Sequence, residues 1–146
     1  MALFKNLGHL ALRVNDLDKS LAFYEKVGFR EMTRLLNDKG EAWIVYLRIT
    51  DDQYLELFPN GVTKPNTARD AIGIFHICLT VENIDETFAA LAKVGIEPSQ
   101  PRKSTRGIDG NRGGWIEDPD GTQIEVMEMA PNCIQYQAIE KLRATA

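Results

Sequence analysis

Histidine and cysteine are scarce in this chain, two of each among 146 residues. Cys78 and Cys133 lie far apart and form no CxxC, so neither a disulfide framework nor a zinc knuckle is expected. That usage points to a reducing, cytoplasmic setting. No apolar run approaches the roughly 20 residues of a membrane span. The start, Met-Ala-Leu-Phe-Lys, is too short and wrongly built for a signal peptide before the first strand. Positive charge is also in deficit: the formal net charge is −4, whereas nucleic-acid binders carry a basic field. No membrane or nucleic-acid partner is therefore expected. What remains is 44% apolar, enough for one sizeable core and short for two independent ones.

The two histidines occupy one repeated position. The stretch Phe75–Gly95, FHICLTVENIDETFAALAKVG, lies without a gap on Gly8–Gly28, GHLALRVNDLDKSLAFYEKVG, after a shift of 67 positions. His9 falls on His76, Leu12 on Leu79, Val14 on Val81, Asp18 on Asp85, and Lys26-Val27-Gly28 on Lys93-Val94-Gly95. Similarity at a long fixed period means two copies of one supersecondary unit. Each copy opens with a strand that carries a histidine.

Periodicity places the elements. His9, Ala11 and Arg13 alternate with Leu10, Leu12 and Val14, the pattern of a strand buried on one face. Asn15 or Asp16 supplies an N-cap, Leu17, Leu21 and Tyr24 follow at helical spacing, and Gly28 closes the helix. Phe29–Leu36 and Ala42–Ile49 read as strands around the turn Asn37-Asp38-Lys39-Gly40, and Gln53–Phe58 completes a β-α-β-β-β unit. In the second copy His76, Cys78 and Thr80 share a face, and Ile84, Phe88 and Leu91 form the helix stripe. Gln100–Gly110 is polar and basic, a poor strand and better a loop. Gly113–Glu117 and Thr122–Glu128 flank the hairpin turn Asp118-Pro119-Asp120-Gly121. The expected organisation is α+β, two βαβββ modules in tandem. Module one spans 5–58, a linker 59–71, module two 73–129 and a terminal helix 132–143.

Glu56 and Glu125 sit in the last strand of each module, 47 and 49 residues after their histidines. One histidine or one strand carboxylate is as often packed or solvated as functional. Two of each on corresponding faces form a candidate metal set: neutral imidazole and carboxylate together suit Zn²⁺, Ni²⁺, Co²⁺, Mn²⁺ or Fe²⁺. Arg13 shares the His9 face and offers a fork for a carboxylate, or else holds Asp16 or a turn. Arg102, Lys103, Arg106 and Arg112 form a basic run opposed locally only by Asp109, which suits an anionic ligand. Cys78 shares the His76 face, but a small strand thiol is usually core, and no histidine remains as its base if both are ligands. Tyr54, Phe58, Trp115 and Met127 lie near the cleft by alternation, as packing or as a substrate wall.

At these residues the chain resembles the glyoxalase I / vicinal oxygen chelate superfamily over nearly all its length. The runs LRVNDLDKSLAFYEKVGF and EDPDGTQIEVME are similar to that family's module-opening and module-closing signatures. The resemblance implies two paired modules forming a cupped sheet around one divalent metal. Its glyoxalase I branch implies His9, Glu56, His76 and Glu125 as ligands, with Ni²⁺ or Zn²⁺ ahead of Co²⁺, Mn²⁺ or Fe²⁺. Arg13 and Asn60, each four residues after a ligand, fall where that branch grips the γ-glutamyl end of glutathione. Arg106 and Arg112 are further candidates for an anionic substrate, a glutathione adduct or a coenzyme A thioester. The tail after Glu128 is longer than that branch typically carries.

The activity so implied is a lactoylglutathione lyase-like isomerisation of a hemithioacetal, or a similar 2-hydroxycarbonyl compound, through an enediolate. Glu125 is then the first candidate for the catalytic base and Glu56 the candidate for the opposite face. Alternatives in the superfamily are an acyl-CoA or 2-oxo acid epimerase, a thiol transferase, a ring-cleavage dioxygenase, or a non-enzymatic small-molecule binding or resistance protein. A dioxygenase needs two histidines and one carboxylate, which leaves Glu56 over, and the binding proteins usually lack the ligand set. Exposed strand edges that must pair with another unit imply a homodimer, with the site within one chain or shared between two.

Overall fold

The computed structural model describes residues 3–65, 68 and 72–145. Part of the expected linker, at 66, 67 and 69–71, lies outside the described residues. The chain forms two compact units, residues 1–65 and 66–146.

In the first unit β1 (His9–Arg13) leads into α1 (Leu17–Lys26), followed by β2 (Arg30–Leu36), β3 (Ala42–Arg48) and β4 (Tyr54–Phe58). The strands form one sheet in the order β1-β4-β3-β2. β1 and β4 run parallel, while β4 with β3 and β3 with β2 are antiparallel. A parallel pair needs a long crossover, and α1 with the β2–β3 hairpin provides it. The period-2 pattern decides which side is wet. Leu55 and Leu57 of β4 and Val45 and Leu47 of β3 are buried, with Val14 after β1 and Tyr24 of α1. Each such aliphatic side chain contributes roughly 1.5–3 kcal/mol when fully buried. The alternate residues, among them His9, Ala11 and Arg13, face the other way and stay exposed.

The second unit repeats the plan with one strand fewer among the described residues. β5 (Ile77–Val81), α2 (Ile84–Lys93), β6 (Arg112–Glu117) and β7 (Gln123–Glu128) give a sheet of order β5-β7-β6. β5 and β7 are parallel, β6 and β7 antiparallel. The stretch 100–110 forms no strand, as its polar, basic composition leads one to expect. Ile84, Phe88 and Leu91 of α2 are buried with Ile116, Ile124 and Val126 of the sheet. The terminal helix α3 runs Ile134–Ala144, slightly beyond the expected range.

Local chemistry sets the helix limits identically in both units. α1 and α2 are offset by the 67 residues of the sequence repeat. The Asp16 side chain accepts from the Lys19 N–H, and Asn83 accepts from those of Asp85 and Glu86. At the other end Gly28 (φ +92°) and Gly95 (φ +77°) adopt the left-handed conformation. This turns the chain so that the N–H of Phe29 reaches Tyr24 O and that of Ile96 reaches Leu91 O, each at 2.9 Å.

Asn83 satisfies two orphan donors where Asp16 satisfies one. Asn83→Ala should therefore lower the unfolding free energy by about 1 kcal/mol, read as a lower urea midpoint at unchanged slope. An unshifted midpoint would show that the cap contributes nothing.

Candidate functional site

Strand register places the acidic residues. In the parallel β1/β4 pair Glu56 stands opposite Ala11, and in β5/β7 Glu125 stands opposite Cys78. Ala11 and Cys78 are equivalent in the repeat, so the two carboxylates enter at the same point of each unit. Each histidine lies two residues earlier, on the same face. The outcome is one His–Glu pair per unit: His9 Nε2 to Glu56 Oε2 at 3.6 Å and His76 Nε2 to Glu125 Oε2 at 3.2 Å. The glutamates are largely buried, 14% and 18% exposed at the side chain, and the imidazoles more open at 44% and 29%.

Aromatic rings fix the imidazoles. Tyr54, the register partner of His9, stacks on it at 5.4 Å, and Tyr46, opposite Glu56, lies 5.9 Å from Tyr54. In the second unit Trp115 stands opposite Glu125 and meets the His76 ring edge-on at 5.0 Å. Sequence reasoning missed Tyr46, yet its register position matches that of Trp115. It also missed Gly113: a Cβ there would lie 3.3 Å from Glu125 Oε1. The absent side chain leaves that carboxylate room.

A cavity of about 520 Å³ opens beside Glu125 in the second unit. Trp115 and Met127 form part of its wall, with Gly113 and Gly114. Asn111 and the 100–110 loop, including Lys103, Thr105, Arg106 and Asp109, supply the rest.

The expected anion-binding residues divide into two groups. Arg13 donates from Nη1 to Pro59 O at 3.2 Å, its guanidinium 5.5 Å from the Phe58 ring centroid. A Cβ on Gly61 would touch its Cγ at 3.2 Å. Arg13 therefore runs along the segment holding Asn60, whose backbone is left-handed (φ +66°). The basic run of the second unit is less free than its local sequence suggests. Arg112 bonds Asp85 at 2.6 Å and Glu128 at 3.4 Å. Arg102 bonds Asp85 at 2.7 Å and covers the Phe88 ring at 4.3 Å. Arg106 is shared between Gly110 O at 3.0 Å and Glu128 at 3.5 Å. Glu128 also accepts the Ile84 N–H that opens α2. These acids come from α2 and β7, distant in sequence from the run they neutralise. Lys103 faces the cavity with no ion-pair partner among the described residues.

Cys78 is a poor nucleophile. Burial, then the charge and hydrogen bonding of Glu125, push its thiol up to about 11, so it is not a thiolate near neutrality.

The residues fit a divalent ion in pairs. Among the described residues no three His, Cys, Asp or Glu side chains gather as a metal site. Within each pair, however, the donor atoms approach as two ligands of one ion would. Donors about 2.0–2.2 Å from a shared cation stand about 2.8–3.1 Å apart at octahedral and about 3.3–3.6 Å apart at tetrahedral angles, and the observed separations are 3.2 and 3.6 Å. Imidazole nitrogen with carboxylate oxygen is borderline-metal chemistry.

The family model described as Glyoxalase/Bleomycin resistance protein/Dioxygenase superfamily matches residues 6–126. The chain belongs to this superfamily. The uncharacterized protein YwkD of Bacillus subtilis is 30% identical over 132 residues, covering 86% of this chain and 98% of its own. The lactoylglutathione lyase of Salmonella typhimurium is 31% identical over 129 residues, covering 82% and 90%. The crystal structure of a glyoxalase family protein from Enterococcus faecalis superposes with a TM-score of 0.75 at 28% identity, covering 87% of this chain and all of that one. The α+β glyoxalase fold is thus shared. No described helix is long and apolar enough to cross a membrane.

The Asp85 cluster gives a pH test. Hydrogen bonds from Arg112 and then Arg102 hold the Asp85 carboxyl below its ordinary 3.8. A depressed folded value means stability present above 3.8 and lost as pH falls below it. Urea midpoints from pH 6 down to about 3 should fall less steeply in Asp85→Asn than in wild type. Parallel curves would mean that the cluster is not coupled to folding.

Proposed function

We propose that this chain is a divalent metal-dependent isomerase of glyoxalase I type, acting on the hemithioacetal of a 2-oxoaldehyde and a thiol such as glutathione. The observation that carries the reading is the duplicated His–Glu pair, with Nε2 and Oε2 converging at 3.6 and 3.2 Å in corresponding places. His9, Glu56, His76 and Glu125 would hold one ion, Ni²⁺ or Zn²⁺, each unit supplying one pair. A homodimer is part of this reading. Such an ion supplies Lewis acidity toward the substrate's carbonyl and hydroxyl oxygens.

The chain's own groups account for the remainder. Glu125 takes the proton from the carbon bearing the hydroxyl and returns it to the neighbouring carbon, so the compound isomerises with no net redox change. Its position beside the 520 Å³ cavity supports that role over a purely structural one. Glu56, its counterpart, serves the opposite face. Trp115 and Met127 shield the proton from water. Arg13 lies four residues, about 13 Å, beyond His9 along β1. With Asn60 beside it, that reach suits a carboxylate remote from the reacting carbon. Lys103 and Arg106 offer positive charge at the cavity, while Arg112 braces the β6–β7 end through Asp85 and Glu128.

A thiol-dependent methylglyoxal assay tests the reaction, and Glu125→Gln tests the base. Glutamine keeps a carbonyl oxygen but loses basicity, so turnover should fall by roughly 10²–10⁴ at matched metal content. Solvent deuterium entry into the substrate should fall in parallel. Undiminished turnover would remove Glu125 as the base. A metal-loaded protein that forms no lactoylglutathione would transfer the reading to another metal-dependent reaction of the superfamily, such as an epimerase.

A further inference from the structure

We propose that the C-terminal helix α3 sets the shape of the cavity beside Glu125, with Gln135 as the positioning residue. The cavity wall at Asp109 and Asn111 belongs to no strand or helix. Its shape therefore rests on the bonds its own groups make. Asn111 is buried, 3% exposed, and its amide is used at both ends. Oδ1 accepts the Ala130 N–H at 2.9 Å, while Nδ2 donates to Asp109 Oδ2 at 2.8 Å and to Gln135 Oε1 at 3.1 Å. Gln135 returns a bond from Nε2 to Asp109 Oδ2 at 3.2 Å. The Ile134 N–H donates to Asp109 O at 3.1 Å. Cys133, fully buried, seats against Gly110: a Cβ added to that left-handed glycine (φ +86°) would lie 3.6 Å from Cys133 Cα.

The contacts made by Cys133, Ile134 and Gln135 come from the first turn of α3 or the residue before it. No residue of α3 is buried, so the helix adds little to the core. An isolated helix of 11 residues is marginal in water, and α3 is held by the clasp it forms with the loop. The clasp is reciprocal: Gln135 has one acceptor and one donor, matched to the donor of Asn111 and the acceptor of Asp109. Side chains that can only donate or only accept leave one of these buried groups unmatched. Neither Asp109 nor Gln135 is among the proposed ligands, so this inference stands or falls apart from the metal reading.

Trp115 lines the cavity, and Trp43→Phe makes it the sole tryptophan. In that background Gln135→Glu keeps the shape and the acceptor but sets a carboxylate against that of Asp109. Acrylamide quenching of Trp115 should rise about two-fold as the wall opens. Adding Asp109→Asn removes the like charge facing the new carboxylate, and quenching should fall back part of the way, since an amide there also meets the Asn111 donor. Unchanged quenching in the single variant, or no recovery in the double one, would overturn the proposal. Hydrogen exchange on the milder Gln135→Ala guards against loss of folding. The Gly107 and Asn111 amides should exchange about tenfold faster while those of Ile124 and Val126 do not change. A uniform rise across the unit, or no rise, would also overturn it.

Discussion

The parallel pairing of the first and last strands in each unit is the constraint on which the rest depends. Because β1 pairs with β4 and β5 with β7 at one common register, a glutamate in the last strand arrives opposite the residue two past a histidine. A slip of one residue would turn the last strand over, driving the carboxylate into the core and exposing Leu55 and Leu57, or Ile124 and Val126. The buried alternation of those aliphatic residues therefore keeps the glutamates facing the histidines. The helix that crosses between the paired strands is capped and terminated by the same chemistry in both units.

The elements whose signals are local were legible in the sequence. The cap at Asn15 or Asp16, the helix-ending Gly28, the turns at Asn37–Gly40 and Asp118–Gly121, and the period-2 strands follow from contacts within a few residues. The repeat then let one unit vouch for the other. Less legible was everything that depends on long-range neighbours. The basic run 102–112 reads as free positive charge because its counter-ions, Asp85 and Glu128, lie on α2 and β7. Tyr46 is an ordinary strand aromatic until register sets it opposite Glu56. The tail gave no signal for its role, since Gln135 acquires meaning only beside Asp109 and Asn111.

The two units differ where specificity would reside. The first presents the more exposed imidazole, His9, stacked on Tyr54, with Arg13 and Asn60 at the strand ends. The second encloses its pair within an aromatic wall, a glycine that makes room for Glu125, and a loop held in place by ion pairs and a terminal helix. On the proposed reading, proton transfer falls to Glu125 beside the cavity and remote recognition to Arg13.

The central claim is that the two His–Glu pairs complete a single ion site. Metal-free protein titrated with Ni²⁺ or Zn²⁺ by calorimetry, in wild type, His9→Ala and His76→Ala, tests it most directly. The account predicts about one ion per chain in wild type, with tight binding lost in either variant because each removes a ligand of the same site. Two independent weak ions per chain, each abolished by only one of the substitutions, would contradict it.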